Sequence, residues 1–288
     1  MRVVVLGAGL QGIATTMDLA WNENMKEILI ADYEKERAEH VAKLCNDKYG
    51  NKVTPVQFDV SDFDGLVEMI KGYDVCINVV NYYWNVHVMK ACLKAHIHYM
   101  DLGGLYVESV KQLKLDQDFK DAGLIAITGI GGCAGVTNIS SAWAVDKLDD
   151  VEEIHFYCGC NDWSTSTKAF EVSYAIETIM DECRMNPIQF VDGEFKELEP
   201  HANQKVVQYS EPVGPQVSWN ITHSELGTVP VSFRDKGLKQ CTYSIGFPDE
   251  MAERLEFLHQ LGFSSREPLE VDGVEVKPVR VLKKLMDI

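Results

Sequence analysis

The amino-terminal glycine pattern restricts the fold of this chain more than any other feature. An apolar run leads into Gly7, Gly9 and Gly12, which follow the spacing G-x-G-x-x-G, and an apolar helix-like stretch comes next. A second apolar run ends at Asp32. Glycines in this spacing between a strand and a helix, with an acid at the next strand end, indicate a βαβ unit that binds a dinucleotide.

Each glycine has its own expected role. Gly7 allows the tight turn, Gly9 lets the backbone approach a pyrophosphate, and Gly12 lets the helix pack closely on the strand. The unpaired N–H groups at the start of the helix favour an anion. The alternative is an ordinary strand–turn–helix without a ligand. The motif predicts these cofactor contacts: Gly7, Gly9, Leu10, Gln11 and Gly12.

The acid at the second strand end indicates which dinucleotide binds. Asp32 can accept hydrogen bonds from the ribose hydroxyls of NAD, and its charge would repel the 2′-phosphate of NADP. Lys35 and Arg37 follow closely and could reach such a phosphate, but Glu34 also flanks the site. We therefore expect NAD, with NADP as the alternative.

Composition excludes several classes of partner. The 288 residues are 46% hydrophobic and carry a net charge of −17, without a basic run, so we expect no nucleic-acid partner. No apolar stretch is long enough to span a membrane, and the start of the chain reads as a strand rather than a signal peptide. Eight cysteines without a C-x-x-C pair favour a reducing cytoplasm and no metal site. Cys158 and Cys160 are read as strand residues rather than ligands.

Strands and helices alternate through the first half of the chain. This predicts an α/β, Rossmann-type doubly wound parallel sheet over residues 1–130. Residues 131–288 predict a second, α+β domain with a mainly antiparallel sheet, which includes strands over 217–223 and 229–233. Asp192-Gly193 and Asp272-Gly273 predict hairpin turns. The individual helices are predicted at 62–71 with Ser61 as N-cap, and at 84–95, 112–122, 136–148, 173–184 and 251–262, with a last helix starting at Pro278.

Several segments together resemble the saccharopine dehydrogenase-like oxidoreductases, a family that includes lysine 6-dehydrogenase and carboxynorspermidine-type enzymes. The matching blocks are residues 7–12, 74–80, 95–104 and 129–138, with weaker likeness at 209–233 and 255–276. The resemblance implies NAD(P)-dependent oxidation of a C–N bond in an amino acid or a secondary amine. We expect a small-molecule substrate and a homodimer. The alternative is a catalytically silent NAD-binding protein that senses redox state or supports an assembly.

Candidate catalytic residues lie at the end of the fifth predicted strand. Asp101 ends this strand, where a carboxyl group between apolar walls suits proton transfer or amine binding. Tyr99 lies on the same strand face. The alternative for Asp101 is a helix N-cap or a loop brace. His96 and His98 are read as structural.

Further contacts to cofactor and substrate are expected at other strand ends. The remaining cofactor candidates are Asp59, Val60, Asn78, Val79 and Asn138, although Asn78 could also cap a turn and either Thr137 or Asn138 could be a helix N-cap. The substrate candidates are Tyr82, Trp84, Gly103 and Arg234. The aromatic residues at 82–84 could wall a pocket or only cover the sheet.

A substrate carboxylate would need a cation, and the second half offers few. These are Lys168, Arg184, Lys196, Lys205, Arg234, Lys236 and Lys239. Arg234 is the preferred bidentate candidate because it follows the predicted strand over 229–233. Its alternative is a solvated surface group. His223 and Glu225 are weaker candidates for the site.

Overall fold

The chain is described by a computed structural model that covers residues 1–163, 170, 172 and 174–286. It divides into two compact units, Met1–Ser140 and Ser141–Ile288. Each unit has its own sheet and its own buried side chains. The predicted helix start near Ser173, and Lys168, lie outside the described residues.

Unit 1 is built on a six-stranded parallel sheet in the order β3-β2-β1-β4-β5-β6. The strands are β1 (Arg2–Leu6), β2 (Glu27–Asp32), β3 (Val53–Gln57), β4 (Val75–Asn78), β5 (His98–Asp101) and β6 (Ala126–Ile127). This order reverses direction between β1 and β4, and ligands of open α/β sheets bind at such a switch point. The predicted Rossmann-type sheet is confirmed.

Helices connect these strands. They are α1 (Leu10–Trp21), α2 (Lys35–Tyr49), α3 (Phe63–Ile70), α4 (Asn85–Ala95), α5 (Tyr106–Leu113), α6 (Asp116–Asp121) and α7 (Val136–Val145). A 3₁₀ turn, Tyr82–Trp84, precedes α4. Alternate residues of β1 belong to two apolar clusters, with Val3 and Val5 in one and Val4 and Leu6 in the other. Because successive side chains of a strand point to opposite faces, this buried strand is apolar throughout.

Two helix predictions in unit 1 were wrong in detail. The single helix predicted over 112–122 is two helices, since α5 ends at Leu113 and α6 begins at Asp116. Asp116 and Asp118 lie in the first turn of α6, where the helix dipole favours acids. The N-cap of α3 is Asp62 rather than Ser61, because the Asp62 carboxylate accepts the backbone N–H of Gly65.

Unit 2 contains a six-stranded mixed sheet in the order β10-β11-β12-β8-β9, with β7 also paired to β12. The strands are β7 (Glu153–Gly159), β8 (Ile188–Val191), β9 (Glu194–Glu197), β10 (Lys205–Gln208), β11 (Pro215–Asn220) and β12 (Gln240–Phe247). A separate hairpin pairs β13 (Leu269–Val271) with β14 (Val274–Val276). Only the β7–β12 pair is parallel, so the mainly antiparallel prediction is confirmed.

The helices of unit 2 are α8 (Ile176–Arg184), α9 (Glu225–Ser232), α10 (Asp249–Gln260) and α11 (Pro278–Met286). The strand predicted over 229–233 was wrong, because residues 229–232 belong to α9 and Phe233 is its C-cap. Its buried residues Leu226, Val229 and Pro230 follow a helical spacing, whereas Val231 is 61% exposed. Among the described residues, no helix is both long and apolar enough to span a bilayer.

Candidate cofactor and active site

The glycine loop after β1 has the geometry that the motif predicts. Gly7 has a φ of +103° and donates its N–H to the carbonyl of Ala31 at 2.8 Å. A Cβ on Gly12 would lie 2.0 Å from the carbonyl oxygen of Gly7, so no other residue fits there. A Cβ on Gly9 would meet nothing within 4 Å. The packing of this chain therefore requires glycine at positions 7 and 12 but not at position 9.

The N-terminus of α1 is open to an anion. Gly9 is the N-cap residue, no side chain caps the helix, and its first turn carries no acid. Leu10 is 78% exposed and Gln11 is also exposed. Such a helix end presents backbone N–H groups and the positive end of the helix dipole, which suits a pyrophosphate.

Asp32 holds the same loop in place. Its side chain is buried to 7% exposure at the end of β2. One carboxylate oxygen accepts the N–H of Ala8 at 2.7 Å, and the other accepts the N–H of Glu34 at 2.9 Å. Each oxygen retains a second lone pair that could accept a hydroxyl. The acid therefore braces the loop and remains able to bind a ribose.

The nearby cations are paired within their own segment. Arg37 contacts Glu34 at 2.8 Å, and Lys35 contacts Glu39 at 3.2 Å. All four side chains are substantially exposed, so these pairs are weak. The two basic residues that follow Asp32 most closely in sequence, Lys35 and Arg37, are thus each paired with an acid.

Two of the predicted cofactor residues follow β3. Asp59 is exposed, and its carboxylate accepts the N–H of Ser61, which lowers the pKa of Asp59. Val60 packs against the core of the unit. Because β3 is parallel to β2, both residues lie on the same edge of the sheet as Asp32.

Asn78 and Val79 lie at the switch point itself. Asn78 pairs in register with Leu6 of β1 and with Asp101 of β5, and the N–H of Val79 donates to Leu6. Asn78 Nδ2 donates to Asn85 Oδ1 at 2.8 Å. Within the described residues, the buried Oδ1 of Asn78 has no hydrogen-bond donor. A buried acceptor of this kind is satisfied by a bound hydroxyl or a water molecule.

A buried polar network connects Asn78 to the predicted catalytic residues. Asn85 Nδ2 lies 3.4 Å from Gln112 Oε1, and Gln112 Nε2 donates to Asp101. Tyr99 donates its hydroxyl to the same carboxylate at 2.8 Å. These five side chains are all at most 2% exposed. Burial, followed by the Asp101 carboxylate, raises the pKa of Tyr99 well above its usual value.

Asp101 accepts four hydrogen bonds, which matches the loop-bracing alternative. Besides Tyr99 and Gln112, the backbone N–H groups of Gly103 and Gly129 donate to its second oxygen at 2.6 and 2.8 Å. The carboxylate is 1% exposed. It thus joins the loop after β5 to the loop after β6. A direct role in proton transfer stays a prediction.

The aromatic residues after β4 differ in exposure. Tyr82 is 6% exposed and lies over Gly104, where a Cβ would come within 2.5 Å of the Tyr82 Cβ. Trp84 packs against the core cluster and meets His87 edge-on. Tyr83 is 40% exposed. Gly103, with a φ of +91°, forms the loop beside them. Tyr82 is buried and Trp84 packs on the core, and their contact with a substrate stays a prediction.

The start of α7, after the glycine loop, differs from both expectations for its N-cap. The helix begins at Val136, so neither Thr137 nor Asn138 is its N-cap. Asn138 Oδ1 instead reaches back to accept the N–H of Gly135 at 3.0 Å. Asn138 stabilises the start of the helix, and its contact with a cofactor stays a prediction.

Arg234 does not follow a strand, which was the argument for preferring it as the ligand of a substrate carboxylate. It begins a 3₁₀ turn, Arg234–Lys236, after α9 rather than following a strand, and its side chain is exposed. Arg184 instead contacts the buried Asp181 at 3.1 Å, together with a bidentate contact from Arg266. The geometry matches the solvated alternative for Arg234.

Unit 2 contains a buried ionisable cluster that sequence analysis underrated. His223 hydrogen-bonds to the carboxylate of Glu225, and its ring stacks on Tyr243 at 4.1 Å. On α8, Glu182 accepts the hydroxyl of Tyr174 at 2.5 Å. His223 and Glu225 were only weak candidates, and Glu182 was not considered, because its electrostatic interaction with His223 arises only through tertiary packing.

Metal ligation has no geometric support. Across residues 1–163, 170, 172 and 174–286, no group of three or more His, Cys, Asp or Glu side chains could hold a metal ion. Cys158 lies in β7, as the strand interpretation predicted, whereas Cys160 lies one residue beyond the end of that strand.

Comparisons with known proteins agree with this fold. Residues 3–127 match the family described as the saccharopine dehydrogenase NADP binding domain. This match reaches all six strands of unit 1, so unit 1 is similar to that domain. The chain has a TM-score of 0.69 with apo saccharopine dehydrogenase (L-Glu forming) of Saccharomyces cerevisiae, at 17% identity. That match covers 93% of this chain and 60% of the yeast chain, so this chain spans less than two thirds of the yeast enzyme's length.

Two curated relatives are similar to almost the whole of this chain. Carboxyaminopropylagmatine dehydrogenase of Synechocystis is 26% identical over 293 residues, covering 99% of this chain and 72% of the relative. Carboxynorspermidine synthase of Vibrio cholerae is 25% identical over 310 residues, with the same two coverages. The predicted resemblance is confirmed, and the coarse class of NAD(P) oxidoreductase is supported.

Proposed function

We propose that this chain is an NAD(P)-dependent oxidoreductase that acts on a C–N bond of a carboxylated secondary amine. The observation that carries the cofactor assignment is the contrast between Gly9 and Gly12. Glycine is required at position 12 because a Cβ there would lie 2.0 Å from a backbone oxygen. A Cβ at position 9 would meet no protein atom within 4 Å. A ligand that approaches the backbone supplies the missing reason for glycine at position 9.

Other features of unit 1 fit the same cofactor. The uncapped start of α1 suits the pyrophosphate, Asp32 suits the adenosine ribose, and the orphaned Oδ1 of Asn78 suits a further hydroxyl. The nicotinamide supplies hydride chemistry when it is bound. The protein must hold the reacting carbon close to that ring and bind the amine.

The substrate class follows from the relatives rather than from unit 1. Their names refer to carboxylated derivatives of agmatine and norspermidine. Both are polyamine-related compounds, so we favour a carboxylated polyamine-like amine over lysine or saccharopine. This replaces the broader expectation of amino-acid metabolism.

Turnover tests the function. The full chain is incubated with NAD⁺ or NADP⁺ and a panel that includes carboxynorspermidine, saccharopine and lysine, and nicotinamide reduction is followed by absorbance. The reverse direction uses NAD(P)H with an aldehyde and an amine. We expect turnover with the polyamine derivatives above that with lysine. Nucleotide binding without turnover in either direction would favour the catalytically silent alternative.

The cofactor preference has a separate test. We propose NAD, because Asp32 is buried beside the ribose position and the adjacent Lys35 and Arg37 are paired with acids. The Asp32→Ser variant removes the charge and should narrow the difference in affinity between NAD and NADP, measured by fluorescence titration. The charge argument fails if wild-type protein binds NADP more tightly than NAD, as the family name would favour.

A further inference from the structure

A buried amide with one unpaired atom lies at the switch point of the unit 1 sheet. Asn78 ends β4 and is 1% exposed, yet within the described residues its Oδ1 receives no hydrogen bond. An acceptor that is buried without a donor is destabilising, and native structures pair such atoms with water or with a ligand. The nitrogen of the same amide, in contrast, has protein partners.

Two neighbours fix which end of the Asn78 amide is unpaired. Its Nδ2 donates to Asn85 Oδ1 at 2.8 Å. Burial raises the pKa of Tyr99, and a side-chain hydrogen bond with Asn78 acts in the opposite direction. The Tyr99 hydroxyl donates its own proton to Asp101, so its oxygen faces Asn78 as an acceptor. Both neighbours therefore require the NH₂ group of Asn78, and Oδ1 is the end that remains.

Asn85 is itself held in one orientation. Its Nδ2 lies 3.3 Å from the carbonyl oxygen of Gly103 and 3.4 Å from Gln112 Oε1. Gln112 directs its Nε2 to Asp101, because a carboxylate can only accept. A backbone carbonyl and a carboxylate have a fixed hydrogen-bonding character, so the orientation of both amides follows from them. Asn85 therefore presents an oxygen, and not an NH₂ group, to Asn78.

The strand order places Asn78 beyond the expected pyrophosphate site. Asp32 ends β2, the glycine loop follows β1, and β4 lies on the other side of β1. A dinucleotide at a switch point binds across the carboxyl ends of these strands. With the adenosine ribose at Asp32 and the pyrophosphate at the start of α1, the nicotinamide ribose comes to the end of β4.

We propose that Asn85 is a positioning residue, which orients Asn78 so that its Oδ1 accepts a hydrogen bond from a hydroxyl of the nicotinamide ribose. This inference rests on the proposed function and adds a residue that serves its cofactor site. Asn85 is 1% exposed, and both ends of its amide contact protein groups, so it acts through Asn78 rather than on the cofactor. Without Asn85, the Asn78 amide is no longer held in one orientation.

Isothermal titration calorimetry of the full chain with three nucleotides tests this role. ADP carries the adenosine ribose and the pyrophosphate, ADP-ribose adds the second ribose, and NAD⁺ adds the nicotinamide. Asn78→Leu removes Oδ1, whereas Asn85→Leu keeps Oδ1 and removes the acceptor of Nδ2. The double variant combines them. The matched control is Asn46→Leu, which removes an amide that binds Lys52 and Val53 at the amino end of β3, away from the switch point.

We expect Asn78→Leu and Asn85→Leu each to weaken binding of ADP-ribose and NAD⁺ about five- to tenfold and to leave ADP affinity within about twofold of the wild type. The double variant should lose no more than Asn78→Leu alone, because the two residues act as a unit. Asn46→Leu should leave the affinity ratio of NAD⁺ to ADP unchanged. An equal loss for ADP overturns the positioning role, and so does a double variant in which the two losses add.

The wild type provides a test that does not depend on the folding of any variant. NAD⁺ analogues that lack the 2′- or the 3′-hydroxyl of the nicotinamide ribose are titrated beside NAD⁺. At least one of them should bind about fivefold more weakly or worse. If both analogues bind as NAD⁺ does, no ribose hydroxyl meets Oδ1 and the inference is overturned. Thermal unfolding checks the folding of each variant.

Failure of this role can be distinguished from failure of the proposed function. If the wild type turns over an amine substrate but Asn85→Leu binds ADP-ribose and NAD⁺ normally, only the positioning role is wrong. If the selective loss is observed but the wild type shows no turnover with NAD⁺ or NADP⁺, the positioning role stands and the oxidoreductase proposal is wrong. Absence of nucleotide binding by the wild type overturns both.

Discussion

Two glycines of one motif carry different constraints at the scale of single residues. Alanine at position 12 would place Cβ against the Gly7 carbonyl oxygen, and both atoms belong to the backbone. Alanine at position 9 would enter open space at a φ of −77°, which any residue adopts. The first change disturbs the fold, and the second disturbs only what binds to it.

We therefore predict opposite outcomes for Gly12→Ala and Gly9→Ala. Gly12→Ala should lower the free energy of unfolding by about 2 kcal/mol or more, because overpacking displaces the backbone. Gly9→Ala should unfold within about 0.5 kcal/mol of the wild type but lose most of its nucleotide affinity. Urea unfolding and nucleotide titration measure the two effects. Normal nucleotide binding by a folded Gly9→Ala variant would remove the reason for glycine at this position.

Asp101 is a further single residue with a strict requirement, because four hydrogen-bond donors converge on its side chain and need a carboxylate as acceptor. Asparagine has one oxygen and an NH₂ group, and in either orientation that NH₂ faces existing donors. Asp101→Asn should thus lower the free energy of unfolding by about 2 kcal/mol or more. Any loss of kcat should leave the shape of the pH–rate profile unchanged. Unchanged stability together with a loss of about 10²–10⁴-fold in kcat and of one limb of that profile would instead assign proton transfer to Asp101.

At the scale of elements, α8 is held to the last part of unit 2 by buried ion pairs. Arg266 binds Asp181 through Nε at 2.9 Å and Nη2 at 2.6 Å, and the Asp181 side chain is 0% exposed. Glu177, one turn earlier, contacts Arg280 and Lys283 of α11 at 3.4 and 3.1 Å. Removal of the Asp181 charge takes the bidentate partner from Arg266, whose side chain is 24% exposed and lies 3.6 Å from Glu177.

Asp181→Asn should accordingly be strongly destabilising. We predict a loss of about 3 kcal/mol in the free energy of unfolding, measured by urea denaturation. The matched control is Glu152→Gln, which breaks the 2.7 Å pair with Lys239 on the surface, where both side chains are more than 60% exposed. That variant should change stability by less than about 1 kcal/mol. Equal losses in the two variants would show that burial of the pair is not decisive.

The elements that sequence predicted well are those fixed by local chemistry. Asp192 and Gly193 have φ values of +56° and +81°. Because Asp-Gly adopts positive φ readily, the hairpin turn could be predicted from the sequence. In the motif from Gly7 to Asp32, the positive φ of Gly7 and the close approach of Gly12 to the Gly7 carbonyl are local requirements of the same kind. By contrast, residues 229–233 alternate like a strand, and yet 229–232 belong to α9 and Phe233 is its C-cap. Gln112 and Asn85 were missed because a helix residue meets a strand end only through tertiary packing.

At the scale of the whole molecule, the net charge of −17 becomes relevant to the substrate. An acidic protein attracts a cationic amine over a distance that salt shortens, from roughly 14 Å at about 0.05 M ionic strength to roughly 7 Å at about 0.2 M. If the acidic residues only keep the surface solvated, the net charge would not change the rate at which the substrate associates. If the field reaches the substrate, it raises the local concentration of a cationic amine near the protein.

We predict that kcat/KM for a polyamine-like substrate falls as salt rises, by about three- to tenfold between those two ionic strengths. The effect should be largely in KM, because the field acts on association and not on the reacting bond. Steady-state kinetics in NaCl, repeated with a second salt to separate ionic strength from specific ion binding, measure it. A substrate of no net charge should respond much less. If kcat/KM for the cationic substrate is unchanged over this range, the acidic surface has no part in substrate capture.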